Sequence, residues 1–189
     1  MKAVLFSLWI LSGGLLACTS PETCPSEAQE TGIQVGSISD ACRCEEASFD
    51  LGTGDAQFET VAEGEEVTMI YGPQGGWHIW GSVRVRNTRD VIKIHFTASD
   101  TVSQSYVVDV TTQVALAMED DCTGTYTGMY GFLDTDPLID GDRDTPPELL
   151  CYHELLLTMT LTDTAGRRLE QTRRVIAAPD QADADVCSP

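Results

Sequence analysis

Positive charge is scarce in this chain. Eleven Lys and Arg stand against thirty Asp and Glu, a formal net charge of -19, so bulk attraction to nucleic acid or anionic lipid is excluded as a mode of binding. Long apolar runs are missing after the first seventeen residues, and because a membrane helix needs roughly 20 apolar residues, no later segment is expected to cross a bilayer. The sequence contains no G-x-S-x-G, no glycine-rich phosphate loop and no paired C-x-x-C. The chemistries those motifs carry therefore find no support, and a non-enzymatic protein is expected, with a hydrolase or redox enzyme of unfamiliar type as the lesser alternative. Sustained helical periodicity and solenoid-length repeats are absent as well.

What is present begins at the N-terminus. Lys2 is followed by an apolar run from Val4 to Leu16, interrupted by Ser7, Ser12 and Gly13-Gly14. That is the length and texture of a secretory h-region rather than a membrane span. It closes on Leu15-Leu16-Ala17-Cys18, which resembles the bacterial lipobox, where a small residue precedes a cysteine that is diacylated on sulfur. The resemblance implies cleavage before Cys18 and a lipid anchor there, with plain secretion as the alternative. In the same sorting scheme Thr19, where retained lipoproteins carry aspartate, implies an outer-membrane lipoprotein facing the periplasm or the cell surface. The membrane is then a partner through the lipid alone.

Six further cysteines, Cys24, Cys42, Cys44, Cys122, Cys151 and Cys187, are an even set suited to three disulfides in an exported chain. Cys42 and Cys44 are too close to bridge each other easily. A Cys122 to Cys151 bridge is expected, closing the acidic loop between them, and zinc is the rival use of these thiols. The expected organisation is a signal peptide over 1-17, a polar tether over 18-54, one folded domain over 55-178 and a tail over 179-189.

From about Phe58 onward, short β-branched and aromatic runs alternate with Gly, Pro, Asn and Asp, which is all-β punctuation. Strands are predicted at Glu65 to Tyr71, Trp77 to Arg86, Val91 to Ala98, Ser105 to Met118 (as one strand or two), Thr125 to Phe132, Glu154 to Asp163 and Arg168 to Ile176. Seven or eight short antiparallel strands resemble an immunoglobulin-like β-sandwich, with a small β-barrel as the alternative. Within it, Ile79, Gly81, Val83 and Val85 alternate with polar residues, as do Ile92, Ile94, Phe96 and Ala98. Pairing these two sets as a hairpin sets Val85 by Ile92 and Gly81 by Phe96, with the glycine's bare backbone covered by the ring. Leu155, Leu157, Met159 and Leu161 alternate with threonines before the turn at Asp163 to Arg167, as in a closing hairpin.

The most distinctive segment is Gly72-Pro73-Gln74-Gly75-Gly76-Trp77-His78-Ile79-Trp80. It resembles a signature of uncharacterised lipoproteins of Gram-negative bacteria, where a G-P-Q-G-G turn leads into an aromatic strand; no activity comes with the resemblance. On the polar side of the expected hairpin, His78, Trp80, Arg84 and Lys93 form a candidate face for gripping a protein or glycan partner; the alternative packs Trp80 beneath a loop. Arg84 opposite Lys93 requires a nearby acid, supplied by the protein itself or by an anionic ligand. His78 and His95 would lie about 13 Å apart at roughly 3.3 Å per residue, too far to share one ion, and His153 could join either. The run Asp134, Asp136, Asp140, Asp142 and Asp144 around Gly141 suits calcium in its density of carboxylates. It departs from the EF-hand through Pro137 and the missing closing glutamate, so a solvated acidic loop competes with possible Ca2+ as its reading. No other cofactor is expected.

Overall fold

Alternation of side chains builds the longest strands. In Glu154–Asp163, Leu155, Leu157, Met159 and Leu161 are all buried, while the threonines between them are half-buried on the opposite face. The computed structural model describes residues 45–72, 76–134 and 149–187. Among them are ten strands: β1 (Ser48–Thr53), β2 (Glu59–Thr60), β3 (Glu65–Tyr71), β4 (Trp77–Arg86), β5 (Val91–Asp100), β6 (Tyr106–Ala115), β7 (Ala117–Met118), β8 (Thr123–Phe132), β9 (Glu154–Asp163) and β10 (Arg168–Pro179). The fold is all-β, as expected.

The strands form a curled sheet folded into two facing layers. In the first, β4 is flanked by β8 along one edge and by β1 and β3 in turn along the other. The second runs β10-β9-β5-β6, and β3 joins the layers by pairing with both β4 and β10. The β3–β10 pair is parallel, an addition to the antiparallel set expected; the two strands are far apart in sequence, so no short hairpin connection dictates their direction. Where β1 and β10 face each other without a backbone ladder, the Gln171 side chain bridges them. Its Nε2 donates to the Phe49 carbonyl and its Oε1 accepts from the Leu51 N–H. Burial of Phe49 and Leu51 places β1 in the domain rather than in the tether expected to run to residue 54.

The inner faces are as the alternation predicts, but the pairing is not. Ile79, Val83, Val85, Ile92, Ile94, Phe96 and Ala98 are all buried, yet β4 and β5 do not pair: β5 lies between β6 and β9 in the opposite layer. The link 87–90 carries the chain from one layer to the other, with Asn87 at φ 57° and its N–H donated to the Cys122 carbonyl. Gly81 does meet Phe96, but across the core. A Cβ on Gly81 would lie 3.0 Å from Phe96 Cε1, and one on Gly131 of β8 would lie 2.6 Å from the same atom. Two glycines thus make room for one phenylalanine, with Met159 sharing the space over Gly81.

The closing β9–β10 hairpin forms as expected, with Thr162 opposite Arg168. Its geometry also corrects the disulfide. Glu154 at the start of β9 lies opposite Ile176 near the end of β10, so the residues just outside both strands meet. Cys151 pairs with Cys187, at the end of a kinked 3-10 segment Gln181–Cys187, with Cα atoms 5.6 Å apart. Cys122 sits at the far end of the layers beside Asn87, about 30 Å away along ten residues of strand. It is itself disulfide-bonded, to a partner outside the described residues. The tail expected over 179-189 is therefore tied to the domain at Cys187.

Candidate binding surfaces

On the outer face of the first layer, three aromatic rings stack into one cluster. Pairing of β4 with β8 sets Trp80 opposite Tyr130 and His78 opposite Phe132. The His78 ring stacks on Tyr130 with centroids 4.1 Å apart and meets Trp80 edge-on at 4.6 Å. Trp80 and Tyr130 are edge-on at 5.5 Å. Tyr130 and Phe132 remain 41% and 46% exposed, and Trp80 is half-buried. His78 is only 3% exposed, and neither ring nitrogen has a hydrogen-bond partner. Burial alone pulls its pKa below the ordinary histidine range, because the charged ring would be stripped of water with nothing to replace it.

The expected face of His78, Trp80, Arg84 and Lys93 is therefore not one surface. His78 lies beneath Tyr130, a neighbour that appears only once β8 is placed beside β4. Lys93 stands on β5, opposite Gln113 and Thr162 in the other layer. Arg84 is opposite Asp50 and Thr125. The acid it requires is the protein's own: Nε and Nη2 both reach Glu119 Oε1 at 3.2 Å, and the guanidinium lies 4.9 Å over the Phe58 ring.

The other histidines are held separately. His95 Nε2 is 2.8 Å from Asp109, and His153 Nδ1 is 3.2 Å from Asp100. Burial would raise the Asp100 carboxyl, but hydrogen bonds from Ser103 and the contact with His153 outweigh it and hold it below the usual range. Among the described residues no group of three His, Cys, Asp or Glu side chains is placed to share a metal. Of the acidic run, Asp134 is described; Asp136, Asp140, Asp142 and Asp144 lie outside the described residues, as do Cys18, Cys24, Cys42 and Cys44.

Two depressions flank the aromatic cluster. Where β3 leaves β4 and β1 takes its place, a cavity of about 290 Å³ opens beside Trp80, lined also by Thr53, Glu59, Glu66, Thr68 and Asp180. Between β6 and β8 runs a seam of about 430 Å³ lined by Tyr106, Val107, Val110, Tyr130, Phe132 and Asp134. Sequence reasoning singled out none of the seam's aromatic residues. The available signal was the apolar outward register of Tyr130 and Phe132 on a predicted strand.

No family model matches the chain, and no curated protein matches its sequence. Among solved structures, the CooA pilin subunit from enterotoxigenic Escherichia coli is similar over 70% of this chain and 98% of its own, at 13% identity and a TM-score of 0.35. A Northeast Structural Genomics Consortium target is similar over 72% of this chain and 88% of its own, at 11% identity and a TM-score of 0.29. Neither likeness is strong enough to bear on function.

Proposed function

We propose that this chain is an envelope lipoprotein, lipidated at Cys18 and displayed at the outer membrane, whose β-domain is a non-enzymatic binding or structural module for a protein or glycan partner. The observation that carries the reading is the oxidised state of Cys151 and Cys187. Disulfides persist in exported proteins and are rare in the cytosol, which agrees with a leader that ends at Ala17-Cys18. The exposed Tyr130 and Phe132 supply the kind of aromatic surface that binding modules use. Metabolic labelling with palmitate in a Gram-negative host tests the proposal. The parent chain should take up label and fractionate with outer membranes, and Cys18→Ala should abolish both. Unlabelled, unprocessed parent protein would overturn it.

A further inference from the structure

β6 is a terminal strand, guarded only at its start. Among the described residues it pairs with β5 alone, leaving its other edge without a strand partner. Protein sheet edges are ordinarily blunted by lysine, proline or a bulge. Over Tyr106–Ala115 there is no Lys, Arg or Pro, and the one charge, Asp109, is engaged by His95. The single irregularity is a bulge at the start of β6, where Val107 is the extra residue between the Ala98–Val108 and Ser99–Tyr106 pairs.

The direction of the bare peptide groups can be fixed. Asp134 N–H donates to the Val107 carbonyl at 2.7 Å from the seam side. Alternate residues of an antiparallel strand send their N–H and C=O the same way, so Asp109, Thr111 and Gln113 present theirs to the seam too. Leu116 N–H, of the opposite parity, donates to Asp90 on the β5 side, which agrees. Side chains facing the core beside this edge are incompletely covered: Val110 and Val114 are only half-buried. Three of the six large apolar side chains exposed among the described residues, Tyr106, Tyr130 and Phe132, converge on the same seam.

We infer that the β6 edge, from Asp109 to Gln113, is a docking site for an extended, basic segment of a partner polypeptide that adds to the sheet as a further strand. Backbone hydrogen bonds to β6 supply the pairing, alternate apolar side chains cover Val110 and Val114, and cationic side chains on the other face meet Asp109. Charge selects this occupant over a second copy. Asp109, its side chain 64% exposed, is the charge that β6 itself presents, Lys93 lies beside the far end of the edge opposite Gln113, and two copies of a chain at -19 repel. The inference deepens the binding reading above and is independent of the lipid on Cys18, so palmitate labelling and strand binding fail separately.

The test uses the full oxidised chain and the synthetic peptide Lys-Val-Thr-Val-Lys-Val-Thr-Val-Lys. Saturable binding is expected, with slowed amide exchange at Asp109, Thr111 and Gln113. Thr111→Pro removes one seam-facing N–H without touching the β5 ladder, and should weaken binding at least about tenfold. Asp109→Lys, which leaves the backbone intact, should weaken it as well, and a peptide with Glu in place of Lys should not bind. Undiminished binding to both variants, equal binding of the acidic peptide, exchange protection elsewhere, or dimerisation through β6 without peptide binding would each overturn the inference.

Discussion

Acid should loosen this protein through His78. The ring is native in its neutral form, buried under Tyr130 and beside Trp80 with both nitrogens unpartnered, and burial lowers its pKa from 6.5. The unfolded chain therefore binds a proton that the folded chain refuses. Stability contributed by keeping His78 neutral is fully present above the ordinary value and falls as pH drops below it, by up to about 1.4 kcal/mol per unit. The loss accumulates between the ordinary value and the lower folded one, and ceases below the latter. Carboxylates titrate in the lower part of the same range, so the comparison needs a chain that lacks only this group. His78→Phe removes the proton site and two unsatisfied polar atoms while keeping an aromatic ring against Tyr130. Removing an unpaired buried polar group for an apolar one is nearly neutral or stabilising, so at about pH 7.5 the variant should match or exceed the parent. Urea denaturation of both, without reductant, at about pH 7.5 and about pH 5 gives the contrast, and the difference in unfolding free energy should widen in favour of the variant on acidification. Parallel curves at both pH values would refute the reasoning, since they would mean that protonated His78 is accommodated in the fold.

Two further outcomes follow from the β9–β10 hairpin and its surroundings. Asp163 is buried, accepts N–H groups from Ala165 and Arg167, and pairs with the Arg167 guanidinium at 2.8 Å; burial would raise its carboxyl, but these bonds and that charge hold it below the usual range. Its stabilisation is therefore present above the ordinary carboxyl value and lost as pH falls through the folded one; Asp163→Asn should cost about 1.5–3 kcal/mol at neutral pH, read from urea midpoints, and a cost near zero would contradict the bonding. The Cys151–Cys187 bridge spans 36 residues, and removing it as a double serine variant should lower stability by roughly 4 kcal/mol through the freed unfolded chain, read from the same melts.

Much of the fold was legible because alternation is a direct record of burial. β3, β4 and β9 have the bounds expected of them; β4 and β9 carry period-two apolar residues over seven or more positions, and β3 over the five from Val67 to Tyr71. β1 was missed although Phe49 and Leu51 alternate with Ser48 and Asp50, because six residues ending in Leu51-Gly52-Thr53 give too few repeats to stand out from a polar tether. The disulfide was missed for a different reason. Cysteine spacing says nothing about which strand ends lie together, whereas the Glu154–Ile176 register brings Cys151 and Cys187 to one corner.

The candidate surfaces were less legible because they depend on neighbours rather than on faces. Alternation in β4 correctly turns Ile79, Val83 and Val85 inward, and alternation in β5 does the same for Ile92, Ile94 and Phe96, but two inward sets complement each other equally well side by side in one sheet or face to face across a core. The four-residue link after Arg86 permits either, and here it crosses between layers. That one choice decides everything on the outer surface. With β5 beside β4, His78 would be open to solvent and Lys93 would share its face; with β8 there, Tyr130 covers His78 and Lys93 belongs to the opposite side of the domain. The same choice sends β6 to the sheet's end, so Asp109, Thr111 and Gln113 lack a strand partner among the described residues because Phe96 reaches Gly81 through the core instead of from the next strand.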